Sequence, residues 1–215
     1  MDLSTYIEHT LLRPDATPEQ VERHCREAAE HGLCAVCIAP VYVALARMCL
    51  EGSPVRVVTV AGFPLGSSTP FVKATEARQA AAEGADEVDM VMAIGLALDG
   101  GWNAVEAEVR TVRDAARDPI LKVIIETGYF STDEIVSACK AAVGGGADFV
   151  KTSTGFGPRG ASVEDVKLLC DTVRGRAQVK AAGGIRTAAE AIEMIRAGAT
   201  RIGTSRGVEI AKSVD

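Results

Sequence analysis

Lysine is chemically out of place inside a short strand-like run, and this sequence carries two such lysines: Lys151 in DFVKTSTG (Asp148 to Gly155) and Lys180 in QVKAAGG (Gln178 to Gly184). A buried strand reads as apolar and β-branched, so an amine there has to be paired, neutralised or used. A third ionisable group, Asp89, sits in the equally apolar EVDMVMAIG (Glu87 to Gly95). An ordinary lysine, with a pKa near 10.4, offers a free amine in only about one molecule in 2,500 at neutral pH. Burial and a second ammonium both disfavour its charge, and a pKa of about 7 to 8 would recover on the order of a thousandfold. That is the logic of an amine nucleophile forming a Schiff base with a carbonyl, with Lys180 supplying repulsion and Asp89 relaying protons. The alternative is that the three groups form a buried ion network with no turnover, which shifts pKa values in the same way.

Strand parity places these groups. Phe149, Lys151 and Ser153 share one face, with Val150 and Thr152 on the other; Lys180 shares its face with Gln178 and Ala182, and Asp89 alternates against Val88 and Met90. With the apolar faces turned to helices, the three ionisable groups converge on the opposite side. The elements that position them come from a weak internal repeat: AEHGLCAVCI, AAEGADEVDMV, VGGGADFVKTS and IRAGATRIGTS each run from a helical tail through a glycine into a strand. Their glycines, Gly32, Gly84, Gly146 and Gly198, are spaced by 52, 62 and 52, which implies βα units of about 26 residues and eight of them in 215.

Strands are predicted near Tyr6 to His9, Ala35 to Ile38, Val55 to Ala61, Glu87 to Met92, Leu121 to Glu126, Phe149 to Ser153, Gln178 to Ala181 and Arg201 to Thr204. Helix starts have capping-box spacing at Thr17/Gln20, Ser131/Glu134, Ser162/Asp165 and Thr187/Glu190, and Pro18 suits a first helical position. The expected fold is α/β, a (β/α)8 TIM barrel forming a single domain over 1–215, with its site at the C-terminal strand ends. The rival is a doubly wound sheet, supported by GFGPRG (Gly155 to Gly160) as GxGxxG. It is opposed by the lysine in the preceding strand and by the lack of an acidic residue at the end of the next.

Glycine loops follow three of the last strands: Gly155 with Gly157, Gly183 with Gly184, and GTSRG (Gly203 to Gly207). Backbone N–H groups in such loops bind phosphate in barrels, with Thr204 and Ser205 adding hydroxyls; otherwise the glycines only make tight turns. Lys122 and Glu126 in KVIIETG share a strand face and read as charges that support the reactive groups from behind. Glu8 either faces the site or forms a solvated strand end. His9, His24 and His31 lack metal spacing, so surface or structural roles are expected, and Trp102 is expected under a loop.

The net charge of −6 argues against nucleic acid and acidic membranes, because such binding draws on lysine and arginine. No run approaches the roughly 20 apolar residues of a membrane span, and the N-terminus lacks a leader pattern, so a cytoplasmic protein is expected. Six scattered cysteines, including the CxxC of Cys34 and Cys37, read as reduced thiols rather than disulfides or a metal site. A homo-oligomer is compatible with the sequence, since helix faces meant for a second copy read like core faces.

Taken in order, IEHTLLRPDAT, CAVCIAP, VVTVAGFPLG, DEVDMV, LKVIIETG, DFVKTSTGFG, VKAAGGIRT and RIGTSRG resemble the deoxyribose-phosphate aldolases, class I aldolases, over nearly the whole chain. The resemblance implies a (β/α)8 barrel that reversibly cleaves 2-deoxy-D-ribose 5-phosphate to D-glyceraldehyde 3-phosphate and acetaldehyde, with no metal or organic cofactor. Its partners are then a small phosphorylated sugar and acetaldehyde. It also implies Lys151 as the Schiff-base nucleophile, Lys180 as the group depressing its pKa, Asp89 as proton donor and acceptor, and Gly155, Gly183, Gly184 and Ser205 as phosphate-binding positions. Two departures stand out: Glu8 replaces the more usual aspartate, and the sequence stops at AKSVD where some relatives continue to a tyrosine. Proton delivery is therefore expected to rely on water, Asp89 and Lys180.

Overall fold

Short buried strands alternate with helices from end to end. The structure, a computed structural model, describes residues 1–213; the last two residues of the 1–215 reading lie outside the described residues. The elements are β1 (Ile7–Leu11), α1 (Pro18–Glu30), β2 (Ala35–Ile38), α2 (Val43–Cys49), β3 (Arg56–Ala61), α3 (Pro70–Ala82), β4 (Glu87–Val91) and α4 (Ile94–Leu98). They continue as α5 (Trp102–Ala115), β5 (Ile120–Ile124), α6 (Thr132–Gly144), β6 (Phe149–Lys151), α7 (Val163–Val173), β7 (Gln178–Ala182), α8 (Ala188–Arg196), β8 (Arg201–Thr204) and α9 (Gly207–Lys212). Each strand pairs in parallel with the next and β8 pairs with β1, so the sheet closes into an eight-stranded barrel. The doubly wound alternative is excluded by that closure.

The helix starts follow their local chemistry. Thr17 and Thr187 accept the N–H of Gln20 and Glu190, whose side chains reach back to the cap N–H groups. Ser162 accepts the N–H of Asp165, but the shorter Asp165 side chain pairs with Arg159 instead of closing the box. Trp102 opens α5 and packs on Phe130 with ring centroids 6.2 Å apart.

Strand boundaries depart from expectation mainly at the C-terminal ends. β6 stops at Lys151 rather than Ser153, and β5 at Ile124 rather than Glu126. Beyond those points the chains diverge toward their loops, and only isolated bonds persist, such as Thr152 N–H to the Lys180 carbonyl at 3.1 Å.

Period-2 alternation sorts the strand side chains into two environments. Val36, Ile38, Val57, Val88, Met90, Leu121, Val123, Val150, Val179 and Ile202 pack against the helices in the main core. Inside the barrel, Ala35 and Cys37 of β2 and Val58 and Val60 of β3 form a separate apolar cluster. The remaining strands point Glu8, Glu87, Asp89, Lys122, Lys151, Lys180 and Arg201 inward, all buried. One side of the interior is therefore hydrocarbon and the other is charged.

His9, on the outward face of β1, stacks on His24 of α1 with ring centroids 3.6 Å apart and planes 16° from parallel. Burial is the main cause that lowers His9 from 6.5 to about 4 and His24 to about 3, so the folded pair is neutral. An unfolded chain takes up protons below about pH 6.5, so stability is full above that pH and is lost as pH falls toward 4 and then 3. Each histidine should contribute up to about 1.4 kcal/mol per pH unit in that window. In urea titrations, His24→Leu should flatten the stability loss between about pH 6.5 and 5; a loss identical to the unsubstituted chain would assign the acid sensitivity to other groups.

Candidate active site

Strand register brings the charged groups to one level. Asp89 is opposite Lys122 across β4 and β5, Lys151 is opposite Lys180 across β6 and β7, and Lys180 is opposite Arg201 across β7 and β8. Asp89 accepts from all three ammonium groups: Oδ1 from Lys122 at 2.8 Å, Oδ2 from Lys151 at 2.8 Å and from Lys180 at 2.7 Å. Glu8 binds Lys180 through one oxygen and Arg201, at 2.7 Å, through the other. Glu87 pairs with Lys122, with Arg201 at 3.0 Å and with the half-exposed Arg56 at 3.2 Å. Room for the Lys180 stem comes from Gly203 on β8, where an added Cβ would lie 3.1 Å from the lysine Cε.

Charge within this layer does not balance. Four buried cations, Lys122, Lys151, Lys180 and Arg201, meet three buried carboxylates, Glu8, Glu87 and Asp89. Lys122 touches all three carboxylates and Lys180 touches two, whereas Lys151 touches only Asp89, which it shares. Lys151 is therefore the least compensated amine of the layer. Burial, opposed by Asp89 and reinforced by Lys180, holds Lys151 below the ordinary lysine range. Burial also works against charge on Lys180 and Lys122, but Asp89 and Glu8 outweigh it and raise both. Asp89 and Glu8 stay ionised despite burial: the lysines hold Asp89 well below the usual carboxylate range and Glu8 at about 2. The Cys37 thiol in the adjacent apolar wall is pushed by burial to about 11.

Above Lys151 opens a cavity of about 280 Å³. Gly155, Gly183, Gly184, Thr204 and Ser205 all line it, so the residues expected to hold phosphate share one space with Lys151. Gly155, Gly183 and Gly184 adopt φ of 88°, 92° and 81°, a region that disfavours any side chain. At Gly183 a Cβ would also press on the Gly160 Cα at 3.1 Å. The Thr204 hydroxyl donates to the Ile185 carbonyl at 2.8 Å and accepts the Arg206 N–H at 3.0 Å, so it braces its loop and has no hydrogen left to offer a ligand. Two cations at the cavity wall, Arg13 and Arg186, escaped the sequence reading, because an isolated arginine in a loop carries no spacing signal.

Three further residues find their places. Lys122 stands behind Asp89 as a supporting charge, fully buried and touching every carboxylate of the layer. Glu126 does not share its strand face, because the strand ends two residues earlier and Glu126 turns into the left-handed region at φ 53°, a conformation that costs of order 1 to 3 kcal/mol. Glu8, left open between site and solvated end, lies in the charged layer beside Lys180.

Comparison with known proteins places this geometry in context. The family model described as DeoC/LacD family aldolase matches residues 5–213. A deoxyribose-phosphate aldolase of Thermus thermophilus is 57% identical over 210 residues, covering 98% of this chain and 96% of its own. That of Deinococcus radiodurans is 57% identical over 208 residues, covering 97% and 94%. Among solved structures, the tetrameric deoxyribose phosphate aldolase of Aeropyrum pernix superposes with a TM-score of 0.92 at 34% identity, covering 99% of this chain and 90% of its own.

The charge imbalance makes two lysine substitutions unequal. Lys122→Met strips three carboxylates of a shared cation and should destabilise the fold by about 3 to 5 kcal/mol in urea titration. Lys151→Met removes the surplus, desolvated cation and should change stability by no more than about 1 kcal/mol. Equal losses for the two would contradict this distribution of charge.

Proposed function

The chain belongs to the DeoC/LacD family of aldolases, and on that premise we propose that it cleaves 2-deoxy-D-ribose 5-phosphate reversibly through a Schiff base on Lys151. The observation that carries this reading is a buried amine with depressed pKa at the floor of a cavity walled by glycine loops. The neutral Lys151 amine attacks the aldehyde carbon of the open-chain sugar, and loss of water gives a protonated imine. As the hydroxyl on the third carbon gives up its proton, the bond between the second and third carbons breaks and its electrons flow into the iminium. Only that bond, and not the one beyond it, lies where an imine on the first carbon can accept its electrons. Glyceraldehyde 3-phosphate departs, leaving an enamine on Lys151. Protonation of its terminal carbon and hydrolysis then release acetaldehyde and restore the amine.

Lys180 and Asp89 divide the supporting work. Lys180 remains an ammonium, disfavouring a second charge on Lys151 and serving as a proton source. Asp89, held ionised by three cations, anchors the amine and accepts protons passed between the lysines and water. Gly155, Gly183, Gly184 and Ser205 receive the phosphate, with Arg13 and Arg186 contributing local positive charge that a chain of net charge −6 lacks globally.

Borohydride reduction in the presence of acetaldehyde, followed by peptide mass mapping, should place a two-carbon adduct on Lys151 and nowhere else. An adduct on Lys180, or none, overturns the assignment. Lys180→Met should move the midpoint of the rising, acid-side limb of the pH–rate profile upward and lower turnover at neutral pH by about tenfold for each unit moved. An unmoved midpoint would remove Lys180 from the activation of Lys151.

A further inference from the structure

Glu126 occupies an unusual position for a charged residue. It is 1% exposed, stands just beyond β5, and is one of only two described non-glycine residues with positive φ. The other, Arg174, merely ends α7, where such a turn is commonplace. At Glu126 the left-handed turn directs the side chain across to the loop that follows β6. Both carboxylate oxygens face the Thr154 N–H, at 3.1 and 3.3 Å, and the carboxylate lies so close to Gly157 that a Cβ there would approach it to 2.7 Å. On either side of it the backbone still pairs: Ile125 N–H donates to the Lys151 carbonyl at 3.0 Å and Thr127 N–H to the Thr152 carbonyl at 2.9 Å. The carboxylate thus takes over where the strand ladder ends.

What it holds is the cavity wall. Thr154, Gly155 and Phe156 line the cavity containing Lys151, and the Thr154 hydroxyl in turn accepts the Phe156 N–H at 3.0 Å. Gly155, between those two anchored amides, cannot move without them. We propose that Glu126 is a positioning residue that fixes the Gly155 segment against the phosphate of the substrate, setting affinity for the phosphorylated end rather than the rate of bond cleavage. This rests on the Schiff-base aldolase reading of the same site. Lys151 is held separately, by Asp89 within the barrel, so the two effects are separable.

The test compares Glu126→Ala and Glu126→Gln on 2-deoxyribose 5-phosphate and on unphosphorylated 2-deoxyribose. Glu126→Ala should raise KM for the phosphorylated sugar by about tenfold, the scale of one lost charge-assisted hydrogen bond, with kcat changed by less than about threefold. Its kcat/KM for 2-deoxyribose should stay within about twofold, and Glu126→Gln, whose carbonyl still accepts the Thr154 N–H, should restore most of the affinity. Equal losses on both sugars, or an unchanged KM, overturns the proposal. Should Glu126→Ala not fold, Gly157→Ala, which presses on the carboxylate from the other side, must reproduce the phosphate-selective KM effect or the proposal fails. Binding of inorganic phosphate, measured by calorimetry, keeps the two readings apart. Weaker binding to the variant supports the role of Glu126 even if the unsubstituted chain does not cleave the sugar, and equal binding rejects it.

Discussion

One carboxylate shared by three ammonium groups is the constraint on which the site depends. Asp89 alone could not neutralise Lys122, Lys151 and Lys180, and Glu8 and Glu87 are placed so that they favour two of the three. In water such an imbalance would be largely screened. In the barrel interior it is not, and it weighs most against charge on Lys151, the amine with the fewest carboxylates. The lowered pKa of Lys151 is thus a property of the whole charged layer and not of the lysine alone.

The fold supplies the conditions for that outcome. Closure of the sheet removes water from the axis, and the apolar side formed by Ala35, Cys37, Val58 and Val60 denies the amine any further counter-ion. Parallel register sets Lys151 level with Lys180, while the missing side chain at Gly203 lets the Lys180 stem reach Asp89 and Glu8. The same strands carry the glycine loops at their C-terminal ends, so Lys151 and those loops open into one cavity without any long-range arrangement.

Glu8 links the two parts of the layer. It spans Lys180 and Arg201 with its two oxygens and also approaches Lys122 at 3.3 Å. The carboxylate thereby ties Lys180 into the part of the network where Arg201 and Glu87 meet. Glu8 adds to Asp89 in holding Lys180 charged, and a charged Lys180 adds to burial in disfavouring charge on Lys151.

Much of this was legible in the residues alone. The repeat of glycine-to-strand joints specified eight βα units, and alternation within each strand specified which side chains point inward, because both depend only on local backbone geometry. That placed Lys151, Lys180 and Asp89 together. Strand ends were less legible: β5 and β6 stop early because pairing there depends on how neighbouring chains diverge, and the side chain of Glu126 replaces a ladder bond no local pattern encodes. Lys122 was legible as a supporting charge, but nothing in KVIIETG reveals that it meets three carboxylates on other strands. Which amine is least compensated was decided by tertiary structure alone. It follows from a count of charges brought together across the barrel, in which Glu8 and Lys180 meet from 172 positions apart, and Coulomb interactions depend on distance in space and not on separation along the chain.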